Sequence, residues 1–88
     1  MSEQFSRALV ASLKEVREKC GMSQSQLARL SGVSRPMINH LESGIRNPTV
    51  IVVHALASAL DVDLAKLIQK ITRHQSGRPH IGRTRSSA

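Results

Sequence analysis

The stretch from Ser23 to Gly44, SQSQLARLSGVSRPMINHLESG, is rich in side chains that can hydrogen-bond the edges of DNA bases. Arg35, Asn39 and His40 lie close enough in sequence to share one side of a short helix. A guanidinium pairs with O6 and N7 of guanine, and a side-chain amide suits adenine. Glu42 is the only acid in the stretch, so the surface does not repel phosphates. The pattern predicts a helix that lies in the major groove of DNA.

Each side chain of this helix also has a simpler interpretation. Arg35 is predicted to bond a guanine, and the alternative is a solvated surface arginine. Pro36 either packs its ring on a thymine methyl or serves only to begin the helix. Asn39 is a candidate adenine contact, and the direction in which its side chain points is left open. His40 contacts a base or a phosphate, or is an ordinary surface histidine.

Two helix N-termini are predicted to hold phosphates, because their unpaired N–H groups and the helix dipole attract anions. Ser23 and Gln24 begin one of these helices, and Arg46, Asn47 and Thr49 lie in a loop and at the start of the other. Contacts of this kind position a protein on DNA without specifying a sequence.

Apolar periodicity predicts the elements that hold these groups. A stripe from Phe5 to Cys20 indicates a first helix over 3–19, ended by Gly21. Ser23 and Gln26 form a capping box for a second helix over about 23–30, whose inner face is predicted to comprise Leu27, Ala28 and Leu30. Cys20 closes the first stripe and is predicted to be buried; a reactive thiol is the less favoured alternative.

A glycine turn separates the second helix from the third. Gly32 permits a positive φ, and Ser34 is a natural cap for the recognition helix at about 34–43. Pro36 is tolerated only in the first turn, so this helix begins at Ser34 or Arg35. Gly44 ends it.

Two further helices complete the predicted domain. The fourth begins near Pro48 or Thr49, and because it is apolar almost all round it is expected to be central. Asp63 is a predicted cap for the fifth. Together these patterns predict an all-α domain of five helices over residues 1–72, followed by a basic, flexible C-terminal tail over 73–88.

Charge supports a nucleic-acid partner. The 88 residues carry a net charge of +7, of which the tail contributes +4 and the remaining residues +3. The tail is predicted either to grip the minor groove or flanking phosphates, or to act only as a solubilising end.

Several classes of function are disfavoured. The single cysteine fits a reducing cytoplasm, and the N-terminal residues do not resemble a signal peptide. No apolar run is long enough to span a membrane. The four histidines show no metal-ligand spacing, and no catalytic set is recognisable. We therefore expect a cytoplasmic protein that is not an enzyme and needs no cofactor.

A second copy of the chain is an expected partner, because one short helix contacts only a few base pairs. Surplus apolar residues near the end of the domain are the candidate dimer interface, and the alternative is that all of them are core. They are Val62, Leu64, Leu67, Ile68 and Ile71.

The motifs GMSQSQLA, GVSR, INHLESG and NP occur in this order between residues 21 and 48. With them, residues 9–68 resemble the Cro/CI-type, or XRE, family of helix–turn–helix proteins. The resemblance implies a five-helix, lambda-repressor-like domain that binds operator DNA, usually as a homodimer. The chain is similar to small stand-alone members of the family that bacteria or phages encode. These members are phage Cro proteins, controller proteins of restriction–modification systems, and some antitoxins.

The resemblance also implies roles for particular residues. Gln24 would bond a phosphate and buttress the recognition helix. Arg17 and Glu42 would form a partly buried salt bridge. Groove-facing positions would be taken by Ser34, Arg35, Pro36 and His40. The function expected is a homodimeric transcriptional regulator on a palindromic operator; the alternative is an antitoxin that binds a partner toxin and regulates its own operon.

Overall fold

Five α-helices make up most of residues 3–76, the part of the chain that the computed structural model describes. They are α1 (Glu3–Lys19), α2 (Gln24–Ser31), α3 (Arg35–Glu42), α4 (Val50–Ala59) and α5 (Leu64–Ser76). This range contains no strand, and the predicted all-α, five-helix fold is confirmed.

Side-chain caps set where the helices begin. The backbone N–H of Gln26 donates to Oγ of Ser23 at 3.0 Å, and the N–H of Ser23 donates to Oε1 of Gln26 at 2.8 Å. Oγ of Ser34 accepts the N–H of Met37 at 3.2 Å. Equivalent bonds of 3.2 Å begin α4, at Thr49, and α5, at Asp63. Each cap satisfies a backbone donor that the helix itself leaves unpaired.

The turn between α2 and α3 depends on Gly32. Its φ is 78°, in the left-handed region, and its N–H donates to the carbonyl of Ala28 at 3.0 Å. A Cβ added at Gly32 would meet no atom within 4 Å. The requirement for glycine is therefore one of backbone conformation rather than of space.

The core holds α3 from behind. Ile38 and Leu41 of α3 are 1% and 2% exposed, and α3 packs against both α1 and α2. α2 also packs on α4, and α1 on α4 and α5. The other buried apolar residues are Leu9, Val10, Leu13, Leu27, Val53, Leu56, Ala57, Leu60 and Ile71.

Two expectations about burial are wrong. Leu30 is 63% exposed, because it lies roughly 100° around α2 from the face formed by Leu27 and Ala28. Cys20 is exposed, since it lies beyond the end of α1 and the buried position at that end belongs to Arg17. α4, in contrast, packs against α1, α2 and α5, so its expected central position is confirmed.

In α4, Val50 and Ile51 are 69% and 81% exposed. Ile51 lies on the side opposite the stripe of Val53, Leu56 and Ala57. Val50 is in the first turn of the helix, before the first residue that α4 contributes to the core.

α5 ends four residues later than the predicted domain boundary at 72, so the first residues of the predicted tail are helical. Residues 64–76 contain neither glycine nor proline, and Gly77 is the first helix-breaking residue after them. The other tail predictions concern residues 77–88, outside the described residues.

Candidate nucleic-acid interface

α3 has two chemically different sides. Its inner side chains Ile38 and Leu41 are buried, whereas Arg35, Pro36 and Asn39 are exposed. His40 is half-buried at the C-terminal end. Ser34, the N-cap, is exposed beside Arg35 and uses its Oγ to accept the N–H of Met37. The helix therefore presents polar donors to solvent at its N-terminal tip.

A bidentate ion pair fixes α3 to α1. Nε of Arg17 donates to Oε2 of Glu42 at 2.8 Å, and Nη2 donates to Oε1 at 3.0 Å. Nη1 of Arg17 also donates to the carbonyl of Met22 at 2.7 Å, which ties the pair to the α1–α2 turn. The two side chains are 11% and 8% exposed. This is the pair that the family resemblance implied.

Hydrogen bonding to Glu42 raises the pKa of Arg17 above its ordinary value; burial opposes the shift, and the charges of Glu42 and Glu18 add to it. Because this pKa is raised in the folded state, the stabilisation is fully present below the pKa of the unfolded chain. It is lost only as pH rises through the higher, folded value. Arg17 therefore remains a cation throughout the physiological range.

Gln24 connects the ion pair to the exposed side of α3. Its Nε2 donates to Oε1 of Glu42 at 2.9 Å and approaches Oδ1 of Asn39 at 3.4 Å. Gln24 is half-buried at the first position of α2. Its side chain thus braces α3, as the family resemblance implied. The contact with Asn39, which the sequence analysis treated only as a candidate adenine contact, was not predicted.

The bonds of Gln24 change how it would hold a phosphate. Both N–H groups of its amide face protein acceptors, so the side chain offers a carbonyl rather than a donor to the outside. A phosphate at this end of α2 would instead meet backbone N–H groups and the exposed hydroxyl of Ser23.

The second predicted phosphate site lies around the start of α4. Arg46, Asn47 and Thr49 are all exposed. The N–H groups of Ile45 and Arg46 both donate to the carbonyl of His40, at 2.9 and 3.3 Å. These bonds hold the loop against the C-terminal end of α3, so Arg46 lies beside this helix.

The predicted dimer residues differ in accessibility. Ile71 is 6% exposed and belongs to the core, so its assignment to an interface is wrong; α5 turns this side chain inward against the packed helices. The other four are half-buried and pack partly against the core: Val62, Leu64, Leu67 and Ile68. Exposed large apolar side chains occur elsewhere, at Leu30, Ile45, Val50 and Ile51.

Two further observations concern residues 3–76. No group of three or more histidine, cysteine, aspartate or glutamate side chains in this range could hold a metal ion. None of its helices combines the length and apolarity that a bilayer crossing needs.

The match to known proteins covers the helices that form this surface. The helix-turn-helix family model matches residues 13–67, from the middle of α1 to α5. The chain belongs to this helix–turn–helix family. Its α2–turn–α3 unit is the element for which the family is named.

The chain is similar to several proteins named as transcriptional regulators. It is 40% identical over 63 residues to an uncharacterised HTH-type transcriptional regulator of Sinorhizobium fredii, y4dJ, which covers 70% of this chain and 82% of that protein. It is 35% identical over 66 residues to the HTH-type transcriptional regulator SutR of Escherichia coli, which covers 75% of this chain and 37% of SutR.

An archaeal relative is similar too. A putative HTH-type transcriptional regulatory protein of Methanocaldococcus jannaschii is 46% identical over 54 residues, covering 61% of this chain and 17% of that protein. The chain therefore spans about a third of SutR and about a sixth of the archaeal relative, whereas it matches most of y4dJ.

Proposed function

We propose that the chain is a transcriptional regulator that binds a specific DNA site with α3 in the major groove. The observation that carries this proposal is the construction of α3. Its apolar side is buried, its last residue is held by Arg17 and Gln24, and its exposed side presents Arg35 and Asn39. Membership of the helix–turn–helix family and relatives named as transcriptional regulators favour this role over catalysis.

The proposed contacts fall into two groups. Base edges would meet the exposed side of α3: Ser34, Arg35, Pro36, Asn39 and His40. Phosphates would meet the N-terminal ends of α2 and α4: Ser23, Gln24 through its backbone, Arg46, Asn47 and Thr49. The two phosphate sites belong to helices that pack on or flank α3, so together they would fix its depth and direction in the groove.

A homodimer on a palindromic operator is part of the proposal. Two recognition helices about 34 Å apart would contact adjacent major grooves and read two half-sites. The half-buried residues Val62, Leu64, Leu67 and Ile68 remain one candidate interface. We infer that the main contact lies instead at Ile45, Val50 and Ile51, because these side chains leave more apolar area in water.

A protein-binding role is the second candidate, with a toxin as the partner of an antitoxin-type regulator. The exposed apolar side chains of the segment 45–51 favour it, because they would suit a different protein as well as a second copy. Either role belongs in the cytoplasm of a bacterium or a phage-infected cell.

Selection of bound sites from random double-stranded DNA tests the proposal. We expect enrichment of a palindrome whose half-site centres are about one helical turn, or 10–10.5 base pairs, apart. Enrichment of a single half-site would contradict the dimer and leave sequence-specific binding in place. Binding without enrichment of any sequence would contradict both.

A further inference from the structure

The two proposed phosphate sites both lie at the C-terminal end of α3. Gln24, at the start of α2, donates to Oε1 of Glu42, the last residue of α3, at 2.9 Å. The N–H of Arg46 donates to the carbonyl of His40, in the last turn of the same helix. Arg35 is the first residue of α3, at its other end. A helix that is held on the DNA backbone at one end only can still tilt in the groove.

An open cleft lies at the N-terminal end of α3. Ser25 and Arg29 of α2 line one side of it, and Ser34 and Arg35 line the other. Ser25 and Arg29 are four residues apart, so they share one face of α2. All four side chains are exposed.

The polar side chains of this cleft are suited to donate hydrogen bonds. A guanidinium offers five N–H donors and accepts none. Oγ of Ser34 already accepts the N–H of Met37 at 3.2 Å, which leaves its own O–H free to donate. The hydroxyl of Ser25 can donate in the same way.

The charge of the cleft is not balanced within residues 3–76. In this range, no acidic side chain lines the cleft, and neither Arg29 nor Arg35 forms an ion pair. Two groups of like charge therefore border one cleft, and an anion placed between them would relieve their repulsion.

We propose that this cleft binds a phosphate of the DNA backbone, held by Arg29 and Ser25. The proposal rests on the proposed function of α3. A phosphodiester is negatively charged and accepts hydrogen bonds, which matches a cleft of donors. Arg29 holds the phosphate because it lies on α2, whereas Arg35 lies on the helix that enters the groove. Phosphates are then bound at both ends of α3, and together they fix its tilt.

This site differs in kind from the two at helix N-termini. Its charge belongs to a side chain, so one substitution removes it without altering the backbone. Arg29 specifies no base itself, because a phosphate carries no sequence information. It supports specificity by holding the end of α3 from which Arg35 reaches the bases.

Methylphosphonates, in which a methyl group replaces one charged phosphate oxygen, test the cleft one phosphate at a time. The duplex carries the site that the wild-type protein selects. At one phosphate near the base pair whose preference depends on Arg35, wild-type affinity should fall about fivefold. Arg29→Ala should show no further loss at that phosphate, since the contact is already absent. Arg46→Ala should retain the loss there, because its own phosphate lies at the other end of α3.

The salt dependence of binding provides the second test. Arg29→Ala should lower affinity for the selected and scrambled duplexes by the same factor and reduce the slope of log affinity against log salt by about one. Arg29→Lys should keep most of the slope, because it keeps the charge. Lys70→Ala is the matched control, since it removes one exposed cation from α5, which packs on α1 and α4. It should leave the slope unchanged.

Three results would overturn the phosphate site. The first is a loss of affinity in Arg29→Ala that adds to the loss at every methylphosphonate. The second is the same slope for Arg29→Ala and Lys70→Ala, because net charge alone would then account for the effect. The third is wild-type affinity in Arg29→Ala, which would leave the cleft to a free anion or an acidic protein. Failure of the wild-type protein to enrich any sequence contradicts the proposed function instead, so the two failures are distinguishable.

Discussion

Arg17 and Glu42, which are 25 residues apart in the sequence, form a bidentate ion pair with N–O distances of 2.8 and 3.0 Å. The pair joins the C-terminal part of α1 to the last residue of α3. It also receives Gln24 from α2, so three helices meet at one carboxylate. The orientation of α3 is thereby tied to α1 and α2 through a single charged group.

Removing one partner of this pair should strongly destabilise the fold. Arg17→Ala leaves the nearly buried carboxylate of Glu42 without its cation and the carbonyl of Met22 without its donor. We expect the free energy of unfolding to fall by about 3 kcal/mol, as for other buried pairs from which one member is removed. Urea denaturation followed by circular dichroism measures this change.

Arg7→Ala is the matched control for that measurement. Arg7 pairs with Glu3 at 3.0 Å, but the side chains are 63% and 65% exposed. Its removal should change the free energy of unfolding by less than about 1 kcal/mol, because solvent screens exposed pairs. Equal destabilisation of the two variants would show that the pair of Arg17 and Glu42 has no special role.

Gly32 provides a test of the turn. Gly32→Ala should lower the free energy of unfolding by about 1 kcal/mol, since a side chain at φ 78° is strained although space is available for it. Gly32→Asn should cost less, because asparagine tolerates the left-handed region. A cost equal to that of alanine would indicate a packing requirement rather than a conformational one.

The starts of the helices could be predicted because the N-terminal caps depend on neighbours in the sequence. Ser23 with Gln26 and Ser34 with Met37 are three residues apart, and both caps form as expected. Burial was harder to predict, because it depends on which helices pack over a residue. Ile51 lies in an unbroken apolar run from Val50 to Val53, so the hydrophobic pattern does not show which side of α4 the other helices cover.

In the candidate site, too, some features could be predicted from the sequence and others could not. Residue types led to the prediction that Arg35, Asn39 and His40 contact bases, and family resemblance supplied the pair of Arg17 and Glu42. The contact between Gln24 and Asn39 joins residues 15 positions apart on different helices. It depends on the angle between α2 and α3, which the sequence of neither helix specifies.

Ile51 tests the proposed dimer surface. Because it is 81% exposed, Ile51→Ser should alter the free energy of unfolding by less than about 0.5 kcal/mol. If a second copy covers Ile51, the dissociation constant of the dimer should rise about tenfold, because the substitution removes one isoleucine side chain from an apolar interface. Analytical ultracentrifugation over a concentration series measures the dissociation constant.

Leu64→Ser is the comparison for Ile51→Ser, because Leu64 represents the alternative surface at the start of α5. Unfolding must be measured in parallel, since Leu64 packs partly against the core. The interface would lie at α5 if Leu64→Ser weakened association while the variant remained folded and Ile51→Ser left association unchanged.

Arg35 and Arg46 should differ in how their removal affects binding. Arg35→Ala should lower affinity for the selected site by about 1–3 kcal/mol and relax the preference at one base pair per half-site, because a guanidinium at the tip of α3 can bond guanine. Arg46→Ala should weaken binding to every sequence and reduce the slope of log affinity against log salt by about one for each phosphate that is no longer neutralised.

Fluorescence anisotropy on specific and scrambled duplexes, at several salt concentrations, separates the two effects. An equal decrease in affinity on both duplexes for Arg35→Ala would assign Arg35 to the phosphate backbone and leave base recognition to Asn39 and His40.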